Sequence, residues 1–78
     1  QMAGLSSGYD ECYIIGDTDS AEFIACYGKD GHLIAVDSVN QPRQFMLFKK
    51  ALGNGFKLEM SLIKDKNFQP ESIFSGSN

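Results

Sequence analysis

This 78-residue chain has no long apolar run, no excess of positive charge and no closely spaced pair of cysteines. No apolar stretch approaches the roughly 18 residues of a membrane span, which excludes a transmembrane helix from the sequence. Ten acids outnumber seven bases, a net charge of −3, which argues against nucleic acid as a partner. The first residues contain no basic segment followed by an apolar run, so the sequence predicts no secretory signal. Because the sequence opens with Gln1, we expect a processed or excised piece of something longer.

The net charge is unevenly distributed along the chain. Residues 1–40 hold seven acids and one base, whereas residues 41–78 hold six bases and three acids. The simplest interpretation is two solvated faces. The alternative is that the basic half meets an acidic partner.

Two cysteines are present, and their spacing fits neither a redox pair nor a zinc knuckle. Cys12 and Cys26 are separated by 13 residues, and each lies in an apolar, strand-like stretch. We expect two buried free thiols in a reducing cytoplasm. A cross-strand disulfide is the alternative, which requires a suitable Cα separation.

The sequence contains fragments of catalytic motifs but no complete catalytic set. Residues 4–8 read G-x-S-x-G, yet a nucleophile elbow needs a strand before the serine, and here a strand is predicted after it. The single histidine, His32, is expected to be an exposed turn residue. Asp17 and Asp19 lack the remaining positions of a calcium loop, and residues 53–55 lack the third glycine of a dinucleotide-binding loop. We predict no catalytic, cofactor-binding or metal-ligating residue in the chain.

A central β-hairpin at about 22–39 is the clearest local prediction. Residues 28–31 read Gly-Lys-Asp-Gly, and Asp-Gly is a strong hairpin signal because glycine adopts positive φ freely. A further strand is expected at 9–15. Residues 1–8, which are mostly small and include Gly4 and Gly8, are expected to be flexible.

Helical periodicity replaces strand alternation after Asn40. Phe45, Phe48 and Leu52 recur on one side of a helix predicted at about 41–52. We expect Asn40 to cap this helix and Pro42 to occupy its first turn, where a missing N–H is harmless. Residues 53–55 should end it.

A short second helix is predicted at 58–63, followed by a tail that straps onto the core. The expected anchors of the tail are Phe68, Pro70, Ile73 and Phe74, and residues 75–78 should fray. The order of elements predicts one α+β domain over 1–78, with the helices on one face of a small antiparallel sheet.

Several stretches together resemble the C-terminal domain of FAD-dependent NAD(P)H–ferredoxin reductases, the family that includes the putidaredoxin, rubredoxin and aromatic-ring dioxygenase reductases. Residues 2–10 read MAGLSSGYD, residues 23–27 read FIACY, and residues 29–46 read KDGHLIAVDSVNQPRQFM. These are similar to the family's opening segment and to its hallmark F-x-x-F-Y-L-K-D-G-R-L-x-A-V-D-A-V-N-R-P-x-E-F-M. The later LIKD at 62–65 is similar to its L-x-x-D. One departure is Gly28, where a leucine is usual, which is expected to loosen that strand.

The resemblance implies a function that this chain does not perform alone. In the family, separate domains bind FAD and NAD(P)H, and the C-terminal domain packs on the flavin domain near the docking site of a [2Fe–2S] ferredoxin or rubredoxin. We therefore expect FAD and NAD(P)H in a full-length protein, none bound by this chain, and no turnover from it alone. The expected location is cytoplasmic, with no membrane or nucleic-acid partner.

The resemblance also suggests roles for individual residues. The candidate docking bases are Arg43, Lys49 and Lys50, because the family's helix carries a basic residue at the position of Lys49 and its ferredoxins are acidic. Asp37, Asn40 and Pro42 are assigned structural roles. For Asp37, this role is a hydrogen bond to backbone or to a neighbouring domain. The alternative hypothesis is a free-standing interaction domain that retains the fold without redox activity.

Overall fold

The computed structural model describes residues 1–74, which form a four-stranded antiparallel sheet with helices on one face. The strands lie in the order β1-β4-β3-β2. The elements are β1 (Met2–Gly4), β2 (Glu11–Asp17), β3 (Glu22–Lys29), β4 (His32–Val39), α1 (Pro42–Gly53), α2 (Met60–Ile63) and a 3₁₀ helix (Pro70–Phe74). The predicted α+β class and the helices of this architecture are thereby confirmed.

The central hairpin joins β3 and β4 as predicted. Asp30 and Gly31 both have positive φ, 53° and 84°, which is the combination that a two-residue type I′ turn requires. Tyr27 pairs with Ala35 and Gly28 with Leu33, so Ile34 is the extra residue of a β-bulge.

Cross-strand pairing divides the sheet into two faces. One face, which we call the helix face, carries Tyr13, Cys26 and Val36 in one row, and these pack with the buried side chains of α1 and α2. That core includes Ile24, Cys26, Leu33, Val36, Phe45, Phe48, Ala51, Leu58, Met60 and Ile63. The opposite face holds the row Val39–Phe23–Gly16 and two rows nearer the hairpin turn. We call these two rows, Met2–Asp37–Ala25–Ile14 and Gly4–Ala35–Tyr27–Cys12, the open face.

The expectation of a flexible start at residues 1–8 is wrong for β1. Met2–Gly4 pairs with β4, and the amide of Ser38 donates a 2.7 Å hydrogen bond to the carbonyl oxygen of Gln1. Gly4 has φ of 80°, and a Cβ there would clash with the carbonyl oxygen of Ile34. The segment is ordered because the outer edge of β4 offers backbone partners, which short-range patterns do not reveal.

Helix α1 begins at Pro42 and ends at Gly53, one residue later at each end than predicted. Pro42 occupies the first turn as expected, and Phe45, Phe48 and Ala51 are buried. The amide of Asn54 donates to the carbonyl oxygen of Lys50 at 3.0 Å, and Gly55 has φ of 76°, which together end the helix as predicted.

The predicted capping role of Asn40 is wrong. Gln41 is the N-cap residue, and no side chain caps the helix. Asn40 instead has φ of 56°, a left-handed conformation that asparagine tolerates better than most residues. Its side-chain nitrogen donates a 2.9 Å bond to the carbonyl oxygen of Ala21, so Asn40 ties the β4–α1 corner to the turn before β3.

Helix α2 is shorter than the predicted 58–63 because the backbone before it is used by the sheet. The amide of Leu33 donates to the carbonyl oxygen of Leu58, and the amide of Met60 donates to that of Gly31, both at 2.8 Å. Residues 58–59 therefore run extended beside the hairpin, and the helix starts only at Met60.

The tail packs on the core as expected, as far as the structure describes it. Phe68 and Ile73 are half-buried against the core, and Pro70 is buried. The side chain of Phe74 and the fraying predicted for residues 75–78 lie outside the described part of the chain. No helix in residues 1–74 is long and apolar enough to cross a membrane.

Candidate docking surface

The outward side of α1 carries all three predicted docking bases. Arg43, Lys49 and Lys50 are exposed. Met46 lies between them, three residues after Arg43, three before Lys49 and four before Lys50. Residues at these spacings are neighbours on a helix surface. Met46 is 56% exposed. We call this surface, made of Arg43, Met46, Lys49 and Lys50, the basic helix face.

Two bases of this surface, Arg43 and Lys49, form no ion pair within the described residues. The first turn of α1 contains no acidic residue. Within residues 1–74, the salt bridges join Lys64 to Glu11 at 2.7 Å and the amine of Gln1 to Asp37 at 3.9 Å, so Arg43 and Lys49 take part in neither. Positive groups left in this way can steer an acidic protein during encounter.

The three structural-motif residues lie close together in the chain but face different directions. Pro42 begins α1, and Asn40 bonds to Ala21. Asp37 lies on the open face, with its side chain 47% exposed. The alternative of a backbone bond for Asp37 finds no support, since its carboxylate oxygen has only the 3.9 Å contact to the amine of Gln1 among described residues.

The two thiols are free, and one of them is not buried as predicted. Pairing of Cys12 with Tyr27 and of Tyr13 with Cys26 puts the cysteines on opposite faces of the sheet, so the alternative disulfide does not form. Cys12 is exposed on the open face, whereas Cys26 is buried in the core. Burial, helped slightly by Cys12, raises the pKa of the Cys26 thiol to about 12, so it stays protonated and unreactive.

Side chains that commonly bind metals are not clustered in residues 1–74. His32 is exposed at the start of β4, as predicted. No cluster of three or more histidine, cysteine or acidic side chains that could hold a metal lies within residues 1–74. A cleft of about 430 Å³ is lined by Gln1 and residues 38–42, none of which has a titratable side chain.

Comparison with known proteins identifies the domain. A family model described as the reductase C-terminal domain matches residues 1–73. The chain belongs to this family. The resemblance that the KDG-to-PRQFM segment indicated is thus confirmed, over nearly the whole chain.

Characterised relatives are ferredoxin reductases. The chain is 38% identical to the ferredoxin–NAD(P)(+) reductase of Sphingomonas over 50 residues. The aligned segment covers 64% of this chain and 12% of the relative. It is 29% identical to putidaredoxin reductase of Pseudomonas putida over 77 residues. This aligned segment covers 99% of this chain and 18% of the relative. The chain therefore spans less than a fifth of the length of these relatives.

Solved structures share the fold. The ferredoxin reductase of the CYP199A2 system from Rhodopseudomonas palustris superposes with a TM-score of 0.80 at 27% identity, covering 91% of this chain and 18% of that one. Putidaredoxin reductase, in its covalent complex with putidaredoxin, superposes with a TM-score of 0.79 at 30% identity, covering 91% and 17%.

Sequence reasoning missed two features of the surface. It did not single out Met46, whose spacing from the three bases was visible in the sequence. It also missed the open face, although strand β2 signals it, because Cys12 and Ile14 are apolar in alternation with Tyr13 and Ile15. A strand that is apolar on both faces predicts cover on both.

Proposed function

We propose that this chain is the C-terminal domain of an FAD-dependent NAD(P)H–ferredoxin reductase, and that it packs on the flavin domain and helps form the docking face for a [2Fe–2S] ferredoxin or a rubredoxin. FAD and NAD(P)H bind elsewhere in the full-length protein. The observation that carries the proposal is the family match over residues 1–73, in a chain that makes up 18% or less of its relatives. Cytoplasmic location stays a prediction.

The basic helix face supports the docking role. Its bases surround an exposed apolar side chain, and a weak electron-transfer complex needs charge for orientation with a small dry contact at its centre. Electrons then pass from the reduced flavin to the acceptor protein, while this domain contributes only binding and positioning.

The first test asks whether the chain exists as part of a larger flavoprotein. An antibody raised against these 78 residues is used to blot source-cell extract. A single band several times heavier than 8.6 kDa that co-purifies with flavin absorbance is expected. A band at the mass of the chain itself would contradict the proposal and favour the free-standing interaction domain.

The second test addresses docking. In the intact reductase, Lys49→Glu is expected to slow electron transfer to the acceptor by about threefold to tenfold at low salt, with the difference shrinking as ionic strength rises. Lys66→Glu is the matched control, because it makes the same charge change at an exposed residue outside α1. Equal rates for both variants and the unmodified protein would refute docking through Lys49. Equal slowing of both would assign the effect to net charge.

A further inference from the structure

The open face of the sheet is an apolar surface that the domain leaves partly uncovered. Its two rows contribute no side chain to the core cluster that packs with α1 and α2. The small Ala25 and Ala35 at their centre are buried, whereas Met2 and Ile14 at their ends are 50% and 39% exposed. Tyr9, itself half exposed, packs its ring edge-on against that of Tyr27, with the ring centres 4.9 Å apart. A contiguous apolar patch of this kind on a small domain usually marks a contact surface.

Charge distinguishes the open face from the basic helix face. Among the eight residues of its two rows, Asp37 alone is charged. The carboxylate of Asp37 contacts the terminal amine of Gln1 at 3.9 Å, a group that becomes an uncharged peptide nitrogen in any longer polypeptide. An acid in the middle of an apolar contact surface then needs a hydrogen-bond donor from the surface that covers it.

Permanent and transient protein contacts differ in the surfaces that they use. Obligate interfaces resemble a divided core and are apolar, whereas transient encounters of electron-transfer proteins are small and depend on charge. This domain has one surface of each kind, formed by opposite layers of the fold. In its relatives the same fold accounts for 18% or less of a much longer chain. The rest of such a chain would be a large and permanent neighbour of this domain.

We infer that the open face is the permanent contact surface of the flavin-binding part of the reductase, which offers it an apolar surface with a hydrogen-bond donor opposite Asp37. The basic helix face is thereby left free for the electron acceptor. This inference rests on the proposed function and assigns its two contacts to two different sides of the domain.

Cys12 provides a built-in reporter for this surface. It is exposed at the end of one row of the open face, while Cys26 is buried and stays protonated. The separate 78-residue chain and the intact reductase are treated with iodoacetamide, and modification of Cys12 is followed by mass spectrometry of its peptide. We expect rapid modification in the separate chain and at least about tenfold slower modification in the reductase, where reaction must await local opening.

Leu62→Cys is the matched control. Leu62 is 49% exposed on α2, away from both surfaces, so this new thiol is expected to react at the same rate in the chain and in the reductase. Equal modification rates of Cys12 in the two proteins would overturn the inference. Protection of Cys12 in the separate chain that increases with concentration, together with a dimer mass, would also overturn it and assign the face to a second copy.

The role of Asp37 is tested in the same assay. Asp37→Ala is expected to raise the modification rate of Cys12 in the reductase toward that of the separate chain, without changing the rate in the separate chain. Glu71→Ala, which removes an exposed acid from the 3₁₀ helix, should leave both rates unchanged. Unaltered protection of Cys12 in the Asp37→Ala reductase would refute the donor opposite Asp37.

These outcomes are separable from failure of the proposed function. If the polypeptide that carries this sequence binds no flavin, or has the mass of the chain alone, the proposed function fails before any labelling is done. If it is a flavoprotein whose Cys12 reacts as fast as in the separate chain, the proposed function stands and the assignment of the open face is wrong.

Discussion

Gly28 is buried on the helix face of the sheet, and the space beside it is occupied by Met60. A Cβ at Gly28 would lie 2.5 Å from Cγ of Met60, 2.8 Å from its Sδ and 3.1 Å from Cγ of Glu11. Met60 is only 1% exposed, so its side chain has little room to withdraw. The glycine therefore does not simply loosen the strand, because a methionine from α2 fills the gap that it leaves.

Gly28→Ala should consequently destabilise the domain, although alanine is ordinarily the better residue in a strand. Overpacking a core by one methyl costs about 1–3 kcal/mol. Restricting the unfolded chain returns about 0.4–1 kcal/mol. The net loss in free energy of unfolding is about 1.5 kcal/mol, which lowers the melting temperature of a domain of this size by about 6–12 °C.

The assay is thermal and urea unfolding of a double-mutant cycle with Met60→Ala. Met60→Ala alone should cost about 2–5 kcal/mol, because it leaves a cavity. In the double variant the methyl at position 28 enters the vacated space, so the combined loss should be smaller than the sum by about 1 kcal/mol or more.

Gly53→Ala is the control for this cycle. Gly53 has no heavy atom within 4 Å of the position of its Cβ and has no positive φ. It should be neutral or slightly stabilising, and additive with Met60→Ala. Additivity of Gly28→Ala and Met60→Ala within about 0.5 kcal/mol would refute the packing argument.

Three further changes test local features of the fold. Asn40→Ala should lower the free energy of unfolding, measured in urea, by about 1–3 kcal/mol, because it loses both the bond to Ala21 and the tolerance of positive φ. Asn40→Gly, which loses only the bond, should lower it by less. Equal losses in the two variants would show that the positive φ contributes nothing. The pKa of Asp17 lies below its usual 3.8 because the Ser20 hydroxyl and the amide of Asp19 donate to its carboxylate, so Ser20→Ala should raise that pKa in an NMR titration. The stability that this lowered pKa provides is present above pH 3.8 and lost as pH falls through the folded-state value, and an unchanged titration in Ser20→Ala would contradict it. Gly4→Ala should release β1 from β4, seen as faster amide hydrogen exchange at residue 38, and retained protection there would show that the strand can adjust.

Local patterns predicted the elements that depend on local chemistry. The hairpin follows from residues that favour positive φ at its turn, and α1 follows from apolar spacing with a proline at its start. These features are encoded by neighbours in the chain, so periodicity and turn chemistry suffice to find them. The candidate bases were also found locally, because three exposed cations on one helix are visible in its sequence.

Features that depend on distant partners were missed or misassigned. β1 contains only three residues and forms because β4 provides an edge. Asn40 looked like a helix cap, but Ala21, which is remote in sequence, takes its side-chain bond. Helix α2 starts late because the hairpin recruits the backbone of residues 58–60.

The sequence by itself determined the family, the hairpin, the main helix and its basic side, because each rests on residues that are near one another in the chain. Only the tertiary structure decided which thiol is exposed, why Gly28 is tolerated and which apolar surface remains open. Those properties depend on strand register, and a shift of one residue in register exchanges the two faces of a strand. The position of Cys12 on the open face and of Cys26 in the core is the clearest instance, since the two residues looked alike in sequence.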